Sequence, residues 1–123
     1  MQVVLDTNFL ILPYQFKIDI FRELEEILPK QELIISNSIL NELKKISESN
    51  KKSKTAARFA LKLIEGKEIK IVESKEEADE WIFSYAKENK AIVCTNDLDL
   101  KGKLKRNGIR VIGLKGKTKI DFL

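Results

Sequence analysis

Val3-Val4-Leu5-Asp6-Thr7-Asn8 near the start of the chain and Ala91-Ile92-Val93-Cys94-Thr95-Asn96-Asp97 near its end share one plan: an apolar run that stops at an aspartate accompanied by threonine and asparagine. A β-branched run of this length without polar interruption reads as a strand buried on both faces, which implies a parallel sheet covered by helices. In open sheets of this kind, groups just past the carboxyl ends of the strands line the crevice where ligands bind. Asp6 and Asp97 are therefore expected to share one crevice. Two carboxylates held together repel each other, so the pairing points to a cation between them.

Working outward from these strands, the chain alternates between the two periodicities. Strand one spans Gln2 to Leu5. A helix is predicted from Asp19 to Leu28, with Ile20, Leu24, Ile27 and Leu28 on one face and Pro29 as its stop. Leu33-Ile34-Ile35 is strand two, and Ser38 is expected to cap a helix carrying Ile39, Leu43 and Ile46. A lysine-rich loop, Ser47 to Ser53, leads to a helix from Thr55 to Ile64 that ends at Gly66 as a left-handed C-cap. Glu68 to Val72 is strand three. Ser74 and Glu77 have the spacing of a capping box that starts a helix to Asn89. Ala91 to Cys94 is strand four, Leu98 to Arg106 a helix, and Arg110 to Gly113 strand five. The tail, Leu114 to Leu123, reads as a loop or an edge strand. Helices between strands give a three-layer α/β/α class with a parallel sheet of about five strands.

Composition narrows the chemistry. The 123 residues suit one domain, with 43% apolar content and a net charge of +4. No run of about 18 apolar residues is present, and the N-terminus has no basic-then-apolar leader, so a cytoplasmic protein is expected. The single cysteine, Cys94, sits inside an apolar run and is expected to be a core residue. There is no histidine, which removes histidine general bases, the usual triads and most zinc sites. Hydrolysis would have to rest on carboxylates and a hard cation such as Mg²⁺ or Mn²⁺. The positive charge is clustered: Lys101, Lys103, Lys105, Arg106, Arg110, Lys115, Lys117 and Lys119 follow one another without an acid, and Lys44, Lys45, Lys51, Lys52, Lys54 and Arg58 form a second group. Basic surface around an acidic crevice is the pattern expected for a phosphodiester substrate.

Two more acids are out of place on their helices. Glu42 lies three residues after Ile39 and four before Ile46, on the apolar stripe. Asp79 precedes Ile82 and Phe83 by three and four and borders a buried face. Such carboxylates cost stability unless a hydrogen-bond donor, a lysine or a metal compensates. Asp6 and Asp97 also have a plain alternative as caps of following helices, which suits Asp97 before Leu98 better than Asp6, because Asn8-Phe9-Leu10 is no obvious helix start.

Taken in order, Asp6-Thr7-Asn8, Glu42 within Ser38-x-x-x-Glu, Asp79 with Ala86 on its helix, and Thr95-Asn96-Asp97 resemble the PIN-domain nucleases over the whole chain. The resemblance implies strand order 3-2-1-4-5, with strands one and four adjacent. It implies that Asp6, Glu42, Asp79 and Asp97 are the catalytic acids and the ligands of one or two Mg²⁺ or Mn²⁺ ions. Asn8, Thr95 and Asn96 would orient them, Lys101, Lys103, Lys105 and Arg106 would hold RNA, and Asp99 would be a surface acid. Cleavage by metal-assisted hydrolysis would leave 5′-phosphate and 3′-hydroxyl ends. Within the family the chain looks most like archaeal proteins related to ribosomal-RNA-processing endonucleases. The VapC toxin branch and a non-catalytic RNA-binding scaffold are the alternatives. The partners implied are RNA, a second copy, and an antitoxin or a ribosome-assembly factor, with no membrane.

Overall fold

The structure, a computed structural model, describes residues 1–123. In chain order the elements are β1 (Gln2–Leu5), α1 (Thr7–Leu10), α2 (Leu12–Phe16), α3 (Ile20–Ile27), β2 (Glu32–Ser36), α4 (Asn37–Ser47), α5 (Lys54–Glu65), β3 (Ile69–Val72), α6 (Ala78–Asn89), β4 (Ile92–Cys94), α7 (Leu98–Arg106), β5 (Val111–Lys115) and β6 (Lys119–Phe122). The sheet runs β3-β2-β1-β4-β5-β6, with the first five strands parallel and β6 antiparallel to β5. This is the expected order with one strand added.

The most apolar strands take the centre. Val3, Val4 and Leu5 are fully buried, as are Ile34, Ile35, Val93 and Cys94 beside them. Burial on this scale, at about 25 cal/mol per Å² of apolar surface removed from water, is the main force holding the layers together. Helices cover both faces with Ile20, Phe21 and Leu24 of α3, Ile39 and Leu43 of α4, Trp81 and Ile82 of α6, and Leu100 and Leu104 of α7. In α5 the buried residues are Ala56, Ala57 and Ala60, small enough for α4 and α5 to pack closely as a hairpin. From β1 the chain builds leftwards through β2 to β3, then crosses back over β1 to β4 and builds the other way. The β1–β4 boundary is thus the switch point of the sheet, where such folds open a crevice at their carboxyl edge.

Several local expectations are corrected. Asp6 does cap a helix: Asn8-Phe9-Leu10 lies in the short α1, and α2 follows with Pro13 near its start. Neither helix is legible as a period, because at four and five residues each is barely a turn. The α4 cap is Ser36, whose hydroxyl accepts from Ile39 N–H, rather than Ser38, which bonds Ser36 side chain to side chain. The Ser74–Glu77 capping box does not form. Ser74 Oγ instead accepts from Glu76 N–H in a tight turn, and α6 begins later, at Ala78. Gly66 follows α5 with φ −89°, so the left-handed C-cap is absent there. It is Lys17, Lys30 and Lys90 that take the left-handed region after α2, α3 and α6. The tail forms β6, and β5 extends to Lys115, with Gly116 at φ 63° opening the hairpin turn between them. The run Lys115-Gly116-Lys117-Thr118-Lys119 had masked the strand period of Ile120 and Phe122.

Candidate active site at the carboxyl edge of the sheet

Register builds the centre of the site. Leu5 pairs with Cys94, so the next residues out, Asp6 and Thr95, lie side by side on the same face. Asp6 N–H donates to the Cys94 carbonyl at 3.0 Å and prolongs the ladder by one step. The Asp6 carboxylate is buried and both of its oxygens are engaged. Oδ1 accepts from Thr7 N–H at 2.8 Å and Oδ2 from the Thr95 hydroxyl at 2.7 Å. The same hydroxyl accepts from Asp97 N–H at 3.1 Å. With its one proton given to Asp6, Thr95 couples the first aspartate to the turn that carries the second. Asp97 in turn caps α7 through Leu100 N–H at 3.0 Å.

Asparagines close the rest of this frame. Asn8 Oδ1 accepts from Asn96 N–H at 3.0 Å, and Asn96 Oδ1 accepts from Leu114 N–H at 2.8 Å. Asn8, Thr95 and Asn96 therefore knit the ends of β1, β4 and β5 into one platform. Thr7 adds a buried hydroxyl without a protein partner, a polar atom set directly beside Asp6.

Glu42 and Asp79 reach the same edge from helices, but on exposed positions. The expected inward placement of Glu42 on the apolar stripe is thus corrected: Ile39 and Leu43 form the buried line of α4, and Glu42 stands at its solvent margin. Charge coupling nevertheless ties the four acids together. The Asp6 carboxyl is pushed up to about 6, chiefly by burial, against the hydrogen bonds from Thr95 and Thr7, with the charges of Asp79 and Glu42 adding to the rise. The Asp79 carboxyl is also raised, first by burial and then by Asp97 and Glu42, while Lys103 alone acts in the opposite direction. No three acidic side chains stand close enough to close a ligand set around one ion. The strand acids are fixed, and the helix acids approach from solvent. Asp99 is exposed in the first turn of α7, as expected for a surface acid.

Two contributors were not singled out from the sequence. Asn37 Oδ1 accepts from Ser74 N–H at 2.7 Å and so ties the start of α4 to the loop that leads into α6, relating the two helices that carry Glu42 and Asp79. Gly113, in β5, packs against the turn that carries Asp97: a Cβ there would stand 2.7 Å from the Thr95 carbonyl oxygen, 3.0 Å from Asn96 Oδ1 and 2.6 Å from Leu123 Cδ1. A glycine inside a strand is the available signal for such close approach. The largest surface cavity, about 670 Å³ between Tyr14, Phe21 and Phe59, lies away from all four acids. An open edge rather than a deep pocket is what a long polyanion needs. Cys94 is fully buried and its thiol is pushed up by burial, so it is a core residue as expected.

The profile of the family described as "PIN like domain" matches residues 3–117. The chain belongs to the PIN-domain family. Among its relatives, Ribonuclease VapC4 of Methanocaldococcus jannaschii is 41% identical over 127 aligned residues, covering 98% of this chain and 95% of that protein. Ribonuclease VapC9 of Archaeoglobus fulgidus is 40% identical, covering 91% and 82%. Among solved structures, the PIN domain endonuclease Utp24 superposes with a TM-score of 0.82 at 28% identity, covering 98% of this chain and 90% of that one. The VapBC2 complex of Rickettsia felis, bound to a DNA fragment from its promoter, shares the fold at TM-score 0.64 and 21% identity, covering 94% of this chain and 100% of that one. No helix is long and apolar enough to cross a membrane.

Proposed function

We propose that this PIN-domain protein is a divalent-metal-dependent endoribonuclease in which Asp6, Glu42, Asp79 and Asp97 are the catalytic acids. The observation that carries the proposal is Asp6: a buried carboxylate at the switch point of the sheet, raised further by two neighbouring acids, with no positive charge among its perturbers. The donor set is all oxygen, without imidazole or thiolate, and its charges repel one another. That chemistry fits Mg²⁺ or Mn²⁺. Asp6 and Asp97 would hold the ion, or a pair of ions, with Glu42 and Asp79 reaching it from their helices through bound water. When bound, it supplies acidification of a coordinated water and neutralises charge on the phosphate oxygens.

The chain's own residues do the rest. Thr95 and Thr7 N–H hold Asp6 in one orientation, and Asn8 and Asn96 hold the two turns in register. Lys101, Lys103, Lys105 and Arg106 on α7 offer charge for the RNA backbone immediately beyond Asp97.

Cleavage of end-labelled RNAs in Mn²⁺, Mg²⁺ or EDTA, with wild type beside Asp6→Asn, tests the proposal. Metal-dependent cutting lost in the variant supports it. RNA bound but never cut would make the domain a scaffold instead. The cellular role follows one of two lines. Kinship near 40% to two VapC ribonucleases favours a toxin held by an antitoxin; a processing endonuclease acting on ribosomal RNA is the other line, compatible with the likeness to a PIN domain endonuclease. Growth arrest on expression of the chain alone, relieved by a co-purifying partner, would decide for the toxin.

A further inference from the structure

Phe83 sits one helical turn beyond Asp79 on α6, so the two share a face beside the acidic edge. The ring is half-buried and flanked by two ammonium groups. Lys103 of α7 lies 4.4 Å from its centroid and Lys87 5.6 Å. Lys103 is also the one positive charge acting on Asp79. A surface lysine normally spreads over many rotamers and loses that freedom when it binds a phosphate. Here the ring face restricts it beforehand and aims it along the edge where Asp79 stands.

We infer that Phe83 is a positioning residue that holds Lys103 as a preset contact for a backbone phosphate of single-stranded RNA beside the acidic cluster. This rests on the ribonuclease proposal for the substrate class, but its central observable is binding rather than cutting. Lys103 supplies the charge, and Phe83 acts only through it. The aromatic ring therefore matters for affinity in proportion to the lysine's presence, and the effect is independent of base sequence.

The test is fluorescence anisotropy with a labelled single-stranded oligoribonucleotide in EDTA, at several salt concentrations. The variants are Phe83→Leu, Phe83→Tyr, Lys103→Met and the double variant F83L/K103M. Lys103→Met should lower the slope of log affinity against log salt by about one, as expected for a lost phosphate contact. Phe83→Leu should weaken binding about threefold, and Phe83→Tyr should restore it. In the K103M background Phe83→Leu should change nothing further. Equal losses in both backgrounds, or an unchanged salt slope in Lys103→Met, would overturn the inference. If Phe83→Leu fails to fold, Phe83→Tyr and Lys103→Met still decide, together with the ring-current shift of the Lys103 ε-methylene protons in the wild type. Absence of that shift counts against the inference. Wild-type RNA that is bound but not cut in Mn²⁺ would remove the nuclease proposal and leave this one standing; RNA not bound at all would remove both.

Discussion

The acids on the strands and the acids on the helices reach one edge by opposite means. Asp6 and Asp97 stand at strand ends in parallel register, and their backbone and side-chain partners are set by the sheet itself. Glu42 and Asp79 stand on solvent-facing positions of α4 and α6, tied to the others by charge alone. A fold can fix a buried carboxylate to a few tenths of an ångström, but it then has to bear the cost of keeping it ionised. An exposed carboxylate carries little such cost and little such precision. The site combines both kinds, and substitutions should separate them.

Asp6→Asn should have the largest effect on activity, a loss of about 10³-fold or more in metal-dependent cleavage, the scale seen when a pre-oriented transition-state group is removed. Its effect on stability should be opposite in sign. Asp6 rises from 3.8 to about 6 in the folded protein, so the folded state binds this proton more tightly than the unfolded state does. The carboxyl therefore favours folding when neutral, and that contribution is lost as pH rises from about 4 to 6. A shift of roughly two units amounts to about 3 kcal/mol of strain at neutral pH in the absence of metal. The neutral amide of the variant escapes it, less whatever is lost in exchanging an oxygen acceptor for an NH₂ group. In EDTA at pH 7 the variant should melt higher by an amount equivalent to about 1–3 kcal/mol, and the difference should vanish below pH 4. A variant less stable than wild type at pH 7 would mean that the hydrogen bonds from Thr7 and Thr95 outweigh desolvation.

Asp79→Asn and Glu42→Gln should sharpen the contrast. Each should lower cleavage by about 10²-fold while leaving stability within about 0.5 kcal/mol, as for other exposed substitutions. If either changed the melting temperature as much as Asp6→Asn, the division between fixed and free acids would fail.

The same division explains what the sequence disclosed. Strand acids are marked by abrupt ends of apolar runs, so Asp6 and Asp97 were legible, and the resemblance supplied the order of the sheet with β1 beside β4. Glu42 and Asp79 were found through helical spacing, but that spacing placed Glu42 on the buried stripe. A helix face is a continuous angle, and a residue between Ile39 and Leu43 sits within a few tens of degrees of either side. Short-range competition hid the caps. Ser36 and Ser38, two residues apart, are equally good candidates, and only the end of β2 selects the first. Ser74 was drawn off by Glu76 and its backbone N–H bonded to Asn37, a partner 37 positions away that no local pattern contains. Gly113 could be read as a strand residue, but the neighbours it makes room for come from the turn after β4 and from the chain end.

Thr95→Val should cost less activity than loss of an acid, about 10–100-fold, the scale for groups that orient a metal ligand. It removes the donor to Asp6 and the acceptor for Asp97 N–H together, while the shape is kept. Melting should fall by an amount equivalent to about 1–3 kcal/mol, since a buried oxygen and a backbone N–H both lose their partners. Thr95→Ser retains both bonds and should recover most of the activity. A larger loss in Thr95→Ser than in Thr95→Val would mean that the methyl group's packing, and not the hydroxyl, holds the turn.

The smallest effects on cleavage should come from the two glycines inside regular elements, Gly113 and Gly102. An alanine Cβ at Gly113 would meet the Thr95 carbonyl at 2.7 Å and Leu123 at 2.6 Å. Leu123 is a side chain at the chain end and can turn aside; the carbonyl belongs to the platform and cannot move without carrying Thr95, Asn96 and Asp97 with it. Gly113→Ala should therefore lower stability by about 1–3 kcal/mol, as overpacking does, and reduce cleavage about tenfold by displacing the Asp97 turn relative to Asp6. At Gly102 the obstacle is the end of the Arg106 side chain, at 3.1 Å, which has other rotamers. Gly102→Ala should thus gain the usual helix advantage of about 0.5–1 kcal/mol and raise the melting temperature. The two variants make the same chemical change and should move stability in opposite directions, because one neighbour is backbone at the site and the other is a free arginine. A stabilised Gly113→Ala would show that the β4 turn has more slack than its hydrogen bonds imply, and the strand acids would then have to be regarded as adjustable too.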